Sequence, residues 1–134
     1  MKTHKQKRIH LKDGTRITCD EGIKEIIRLL NDNGFHTDLS CEDNVKKTIW
    51  IEFHSIKIVE TLMTKALRED IKYNHPKYER ETLWMKLLDW GAEWNICMDE
   101  HVDNIPVVHL SPALRFPKSQ KEMFYGMLER LLKS

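Results

Sequence analysis

The chemistry-bearing residues of this chain are three cysteines, Cys19, Cys41 and Cys97, and seven histidines scattered along its length. A thiol nucleophile needs an imidazole within hydrogen-bond reach and a polar group to orient it. Cys41 is the best placed of the three. It ends an alternating segment before the turn Glu42-Asp43-Asn44, with His36, His54 and His109 as the imidazoles that folding would have to deliver. His36 and Cys41 themselves fall on opposite faces of one strand, which argues against joint metal ligation. Cys97 and His101, spaced by four beside Asp99, Glu100 and Asp103, would share a helix face and offer metal ligands. That segment reads instead as a strand running into a polar loop, where the spacing does not converge, so no metal and no cofactor are expected. An odd cysteine count without Cys-x-x-Cys spacing suits a reducing compartment. All three thiols are expected as small buried hydrophobes, with Cys41 the possible reactive one.

Nucleotide fingerprints are missing. The five glycines (Gly14, Gly22, Gly34, Gly91 and Gly126) are dispersed, so neither a Gly-x-Gly-x-x-Gly turn nor a P-loop can form. No Gly-x-Ser-x-Gly elbow and no kinase-type set is present. The segment Leu114-Arg115-Phe116-Pro117-Lys118 is the strongest ligand candidate. It leads into a helix N-terminus, where free N–H groups attract anions. Arg115 and Lys118 would contact phosphate, and Phe116 would stack on a base. A second candidate surface is aromatic: Trp84, Trp90 and Trp94, flanked by Tyr73 and Tyr78. Trp84 or Trp94, if exposed, would mark a binding face, because indoles bury large area at small entropic cost.

The elements that must position these residues read clearly in places. Lys7–Leu11 and Thr15–Cys19 alternate around Lys12-Asp13-Gly14, a β-hairpin. Asp20 is placed to cap a helix whose apolar stripe is Ile23, Ile26, Ile27 and Leu30, ending at Asn33-Gly34. Phe35, Thr37, Leu39 and Cys41 form the buried face of a strand. Thr48–Phe53 follows, with Ile49, Ile51 and Phe53 on one face and Trp50 and Glu52 on the other. Ser55 caps a helix burying Val59, Leu62, Met63 and Ala66. Pro76–Trp90 reads as a third helix ending at Gly91. Trp94, Ile96 and Met98 alternate in a short strand, Asp99–Asn104 is a polar loop, and Ile105–Leu110 is the last strand. Ser111–Pro117, with two prolines, reads as an extended loop. Ser119-Gln120-Lys121-Glu122 reads as a capping box before a helix burying Phe124, Met127, Leu128 and Leu131.

The order ββα-ββ-αα-ββ-α predicts an α+β fold, a mixed or mainly antiparallel sheet with helices packed against it, in one domain over residues 1–134. The length of 134 residues with 40% hydrophobic and 32% charged residues fits one such core. No apolar run approaches the roughly 20 residues of a membrane helix. The N-terminus leads into charge and not into an apolar signal segment, so a cytoplasmic location is expected. Residues 1–16 hold six Lys/Arg against one acid, and residues 114–134 hold five against two. The basic N-terminal tail, about residues 1–6, and the hairpin behind it would suit phosphate or an acidic partner. Near-zero net charge makes nucleic acid the weakest of the partners.

Two segments carry a resemblance. Arg16-Ile17-Thr18-Cys19-Asp20-Glu21-Gly22-Ile23, followed by Leu30-Asn31-Asp32-Asn33-Gly34-Phe35-His36-Thr37-Asp38-Leu39-Ser40-Cys41, resembles a pattern of small, mostly uncharacterised bacteriophage α/β proteins. These share a strand, an acidic helix cap, a helix ending in Leu-Asn-x-x-Gly, and a strand ending in Thr-x-x-Ser-Cys. The likeness covers residues 16–53, and Glu42-Asp43-Asn44 departs from the Gly-containing turn that many of them carry next. The Ser-Cys end also faintly resembles the wybutosine-synthesis methyltransferase family, whose Ser-Cys-x-Gly-Arg is incomplete here. The resemblance implies a phage accessory protein that binds, such as an anti-defence protein. Its partner would be a host immune effector or a cyclic nucleotide signal, and a homo-oligomer would create a shared pocket. The alternatives are a small cysteine- or histidine-dependent enzyme acting on a nucleotide-like substrate, and a nucleic-acid binder.

Overall fold

The computed structural model describes residues 5–44, 47–73, 82–91, 93–102 and 105–133. Strands β1 (Gln6–His10) and β2 (Arg16–Asp20) pair antiparallel with Ile9 opposite Ile17. The reversal between them needs Gly14, whose φ of 89° is left-handed and whose N–H donates to the Leu11 carbonyl at 3.0 Å. Asp13 accepts from the Thr15 N–H and hydroxyl at 2.9 and 2.6 Å, and those bonds hold its carboxyl below the usual carboxylate range.

A 3-10 turn, Glu21–Ile23, leads into helix α1 (Lys24–Asp32). Asp20 stands at the N-cap position of that turn, but its side chain does not cap it. Its buried carboxylate instead accepts from the Gln6 amide and from the Glu42 backbone N–H at 2.8 Å. The helix ends where the Asn33-Gly34 signal places it. Gly34 has φ 87°, its N–H bonds the Asn31 carbonyl at 3.1 Å, and the Phe35 N–H bonds the Leu30 carbonyl at 2.9 Å. This 5→2 and 6→1 pair, with Phe35 and Leu30 both buried, is the Schellman arrangement. Asn31 then latches the next strand. Its amide donates to Thr37 Oγ1 at 3.0 Å, and its carbonyl oxygen accepts the Thr37 N–H at 3.1 Å.

Strands β3 (Thr37–Asn44), β4 (Thr48–Phe53), β5 (Glu93–Val102) and β6 (Ile105–Pro117) form a second antiparallel sheet in the order β3-β4-β6-β5. Helices α2 (Ile56–Tyr73), α3 (Leu83–Trp90) and α4 (Lys121–Lys133) complete the fold. Their buried residues join those of α1 and the hairpin in one core with Ile49, Ile51, Phe53, Leu114 and Phe116. The class is α+β, and the element order is the one expected. Ser55 caps α2 through a 3.4 Å bond from the Ile58 N–H.

Several boundaries differ from expectation. Leu39 is 62% exposed and not on a buried face. The register slips by one residue between Thr37 and Ser40, and again between Cys41 and Asn44. Each bulge inserts an extra residue and breaks the simple alternation. The pairing also carries Glu42-Asp43-Asn44 into β3, where a turn was expected. Helix α3 begins at Leu83, capped by Thr82 Oγ1 accepting the Met85 N–H at 3.2 Å; Pro76 and Tyr78 lie outside the described residues. Asp99–Val102 belongs to β5 and not to a loop. Ser111–Pro117 is the C-terminal half of β6, paired with β5 up to Ala113 and with β4 from Ala113 on, so Pro112 and Pro117 each have one paired neighbour. The ladder continues into Lys118, whose N–H bonds the Lys47 carbonyl at 2.9 Å. The chain therefore enters α4 through a 3-10 turn, Lys118–Gln120, and Ser119 sits inside this turn and not at a capping-box cap.

Candidate functional site

The period of two along a strand decides which predicted residues can meet. In β6, Phe116 stands opposite Ile49 and Arg115 opposite Trp50. Phe116 thus turns inward with Leu114, and Arg115 turns to the other face of the sheet. Phe116 is 1% exposed, stacked on Trp90 with centroids 4.9 Å apart and tilted against Phe124 at 4.7 Å. It is a core ring and offers no face to a base. Lys118 lies beyond both in the 3-10 turn, half-buried. The three residues expected to build a phosphate-and-base site do not converge.

The aromatic cluster divides in the same way. Trp90 is half-buried, stacking on Phe116 and meeting Phe124 edge-on at 5.6 Å. Trp84 is half-buried and packs against the core. Trp94 stands in β5 opposite Pro112, and its side chain lies outside the described set. Cys41, half-buried, stands opposite Trp50. His54 Nδ1 is 3.0 Å from Asp38 Oδ1, and the His54 N–H bonds the His36 carbonyl. Those two histidines are therefore tied to the start of β3. Cys97 and His109 are register partners across β5 and β6. Cys19 is buried, and desolvation beside Asp20 raises its thiol to about 11, which leaves it protonated and inert at neutral pH. Among the described residues no group of three or more metal-ligating side chains gathers.

The convergent group is on the face of the four-stranded sheet opposite Ile49, Ile51 and Phe116, the outer face. Arg115 binds Glu93 in the bidentate geometry, Nε to Oε1 at 2.5 Å and Nη2 to Oε2 at 3.2 Å. Its third nitrogen, Nη1, donates to Thr48 Oγ1 at 3.1 Å. The Arg115 bond above all lowers the Glu93 carboxyl, and the neighbouring Trp50 side chain lowers it further. Four residues from three strands, Thr48, Trp50, Glu93 and Arg115, so form one half-exposed network. Beside it, Glu52 is 4% exposed and Ser111 is fully buried, and neither lacks a partner. The arrangement holds an indole and a guanidinium in fixed positions on an otherwise polar sheet. It presents an indole, a guanidinium, a hydroxyl and a carboxylate, groups that can bond or stack on a partner.

Sequence reasoning named Arg115 for the wrong neighbours and passed over Trp50, Thr48, Glu52 and Glu93. The signal for the first three was the alternation of Thr48–Phe53, which sets them opposite the apolar face. The Arg115–Glu93 pairing spans two strands and left no local signal.

The phage-like pattern acquires a structural meaning. Asp20 ties β1 to β3. A Cβ on Gly22 would collide with the Glu42 carboxylate; Leu30, Asn31, Gly34 and Thr37 form the helix stop and latch. Asp20, Leu30, Asn31, Gly34 and Thr37 of this pattern thus serve folding. Among the described residues no helix is long and apolar enough to cross a membrane. No family model matches the chain, nor does any curated protein or solved structure.

Proposed function

We propose that this chain is a non-catalytic binding protein of the phage accessory kind that residues 16–53 resemble, and that it engages a host defence protein through the outer face of its four-stranded sheet. The observation that carries the reading is the Trp50–Glu93–Arg115–Thr48 network, half-exposed and held by bonds from three strands. Trp and Arg are the residue types that dominate binding energy when a partner desolvates them, and a pre-bonded guanidinium loses little further entropy on docking. A protein partner is favoured over a cyclic nucleotide because Phe116 is spent in the core and two edges of Arg115 are spent on Glu93 and Thr48. Such a protein would work in the host cytoplasm.

The test pairs capture from host lysate with calorimetric titration against a panel of cyclic nucleotides. A host protein retained by the wild-type chain and lost by the Arg115→Ala variant supports the reading. Heat with any cyclic nucleotide, abolished by Arg115→Ala, transfers the site to the nucleotide class. A captured protein indifferent to that substitution contradicts the outer face as the docking surface.

A further inference from the structure

On the inner side of the sheet, between α2 and α3, lies a cavity of about 120 Å³ lined by Phe53, Val59, Leu62, Met63, Leu87 and Leu88, with Gly91 in its wall. We infer that it is a binding site for a small hydrocarbon group, aliphatic or aromatic and of about benzene size. The lining residues are all apolar, so water entering it would find too few hydrogen-bond partners. Apolar cavities of about 150 Å³ in other proteins stay dry and accept benzene. A space of this size holds one such group and not a helix or strand of a partner.

Two features keep the space open and reachable. Gly91 has φ 71°, a conformation that ends α3 and favours glycine, and a Cβ there would meet nothing within 4 Å. The backbone that stops the helix therefore also leaves this part of the wall without a side chain. Leu88, at the cavity, is 56% exposed, and Met85, one turn before it, is 40% exposed. These are two of the few large apolar side chains that the described residues expose, and a hydrocarbon seated beside them covers surface that otherwise faces water. Because the lining offers no polar side chain, any polar end of the ligand must stay at the mouth. The residues changed to test it, Val59 and Leu88, are not those of the proposed docking face, so the two can fail separately.

The test uses benzene and a series of 1-alkanols on the full chain, followed by methyl resonances and thermal melting. Benzene should shift the methyls of Val59, Leu62, Met63 and Leu87 selectively and raise the melting temperature, since it binds the folded state alone. Alkanol affinity should rise about fourfold per added methylene until the cavity is full. Val59→Phe fills the space and should abolish the shifts while the chain still melts cooperatively. Should that variant fail to fold, Leu88→Trp closes the exposed mouth and should have the same effect. Absence of methyl shifts with benzene, or shifts that persist when the cavity is filled or its mouth closed, overturns the inference.

Discussion

The two faces of strand β4 are built from adjacent residues and obey different rules. Ile49, Ile51 and Phe53 turn inward, are at most 1% exposed, and meet the helices. Thr48, Trp50 and Glu52 turn outward into a polar layer with Glu93, Ser111 and Arg115. The inner face needs only apolar bulk of the right shape. Bonding a half-exposed Arg to a carboxylate beside a half-exposed Trp and a buried Glu52 is more than a solvated sheet requires, since a surface of Thr, Lys and Ser would suffice. Neighbouring residues in one strand thus divide between the core and the proposed docking face.

That division can be broken most sharply within β6. Phe116→Ala removes the ring between Trp90 and Phe124 and should cost about 3–5 kcal/mol in denaturant unfolding. Arg115→Ala, one residue earlier, should cost less than about 1 kcal/mol, because the pair it breaks is partly exposed to water. Equal losses at the two positions would contradict the separation of roles. Between these extremes, Asn31→Ala leaves buried backbone groups at the helix stop without their latch and should cost about 1–3 kcal/mol.

Acid titration gives a smaller, signed effect. The Glu93 carboxyl is lowered in the folded chain, so its contribution is present above the ordinary value of 4.5 and is lost as the pH falls through the lowered value. Stability should decline below about pH 4.5, and Glu93→Gln should flatten part of that slope in melts recorded across the range. The smallest effect concerns the thiols. Native Cys19 should resist iodoacetamide at neutral pH, since burial raises it to about 11, whereas Cys41, only half-buried, should label faster than Cys19. Labelling of Cys41 far faster than a free thiol would instead revive a catalytic role.

Much of the fold was legible because its signals are local. Gly14 and Gly34 mark backbone that only a left-handed residue makes, and the 3.6-residue stripe of α1 is complete within one helix. The extent of β6 was not legible. Pro112 and Pro117 lack a donor and read as breakers, yet both are held in an interior strand by pairing with Trp94 and Thr48. Leu39 was misplaced because a bulge in β3 depends on its partner strand. The site was half legible: Arg115 stood out by type, but its assignment to Glu93 arises from a register spanning 22 residues of chain.

Trp50 is the centre of the proposed docking face. The most direct measurement is the affinity of a captured partner for the wild-type chain and for Trp50→Ala, compared by calorimetry at matched folded fraction, with exposed Lys65→Ala on α2 as the control. A hot-spot indole predicts at least a roughly 30-fold loss for Trp50→Ala and no change for the control. Unchanged affinity for Trp50→Ala in a folded chain would contradict it.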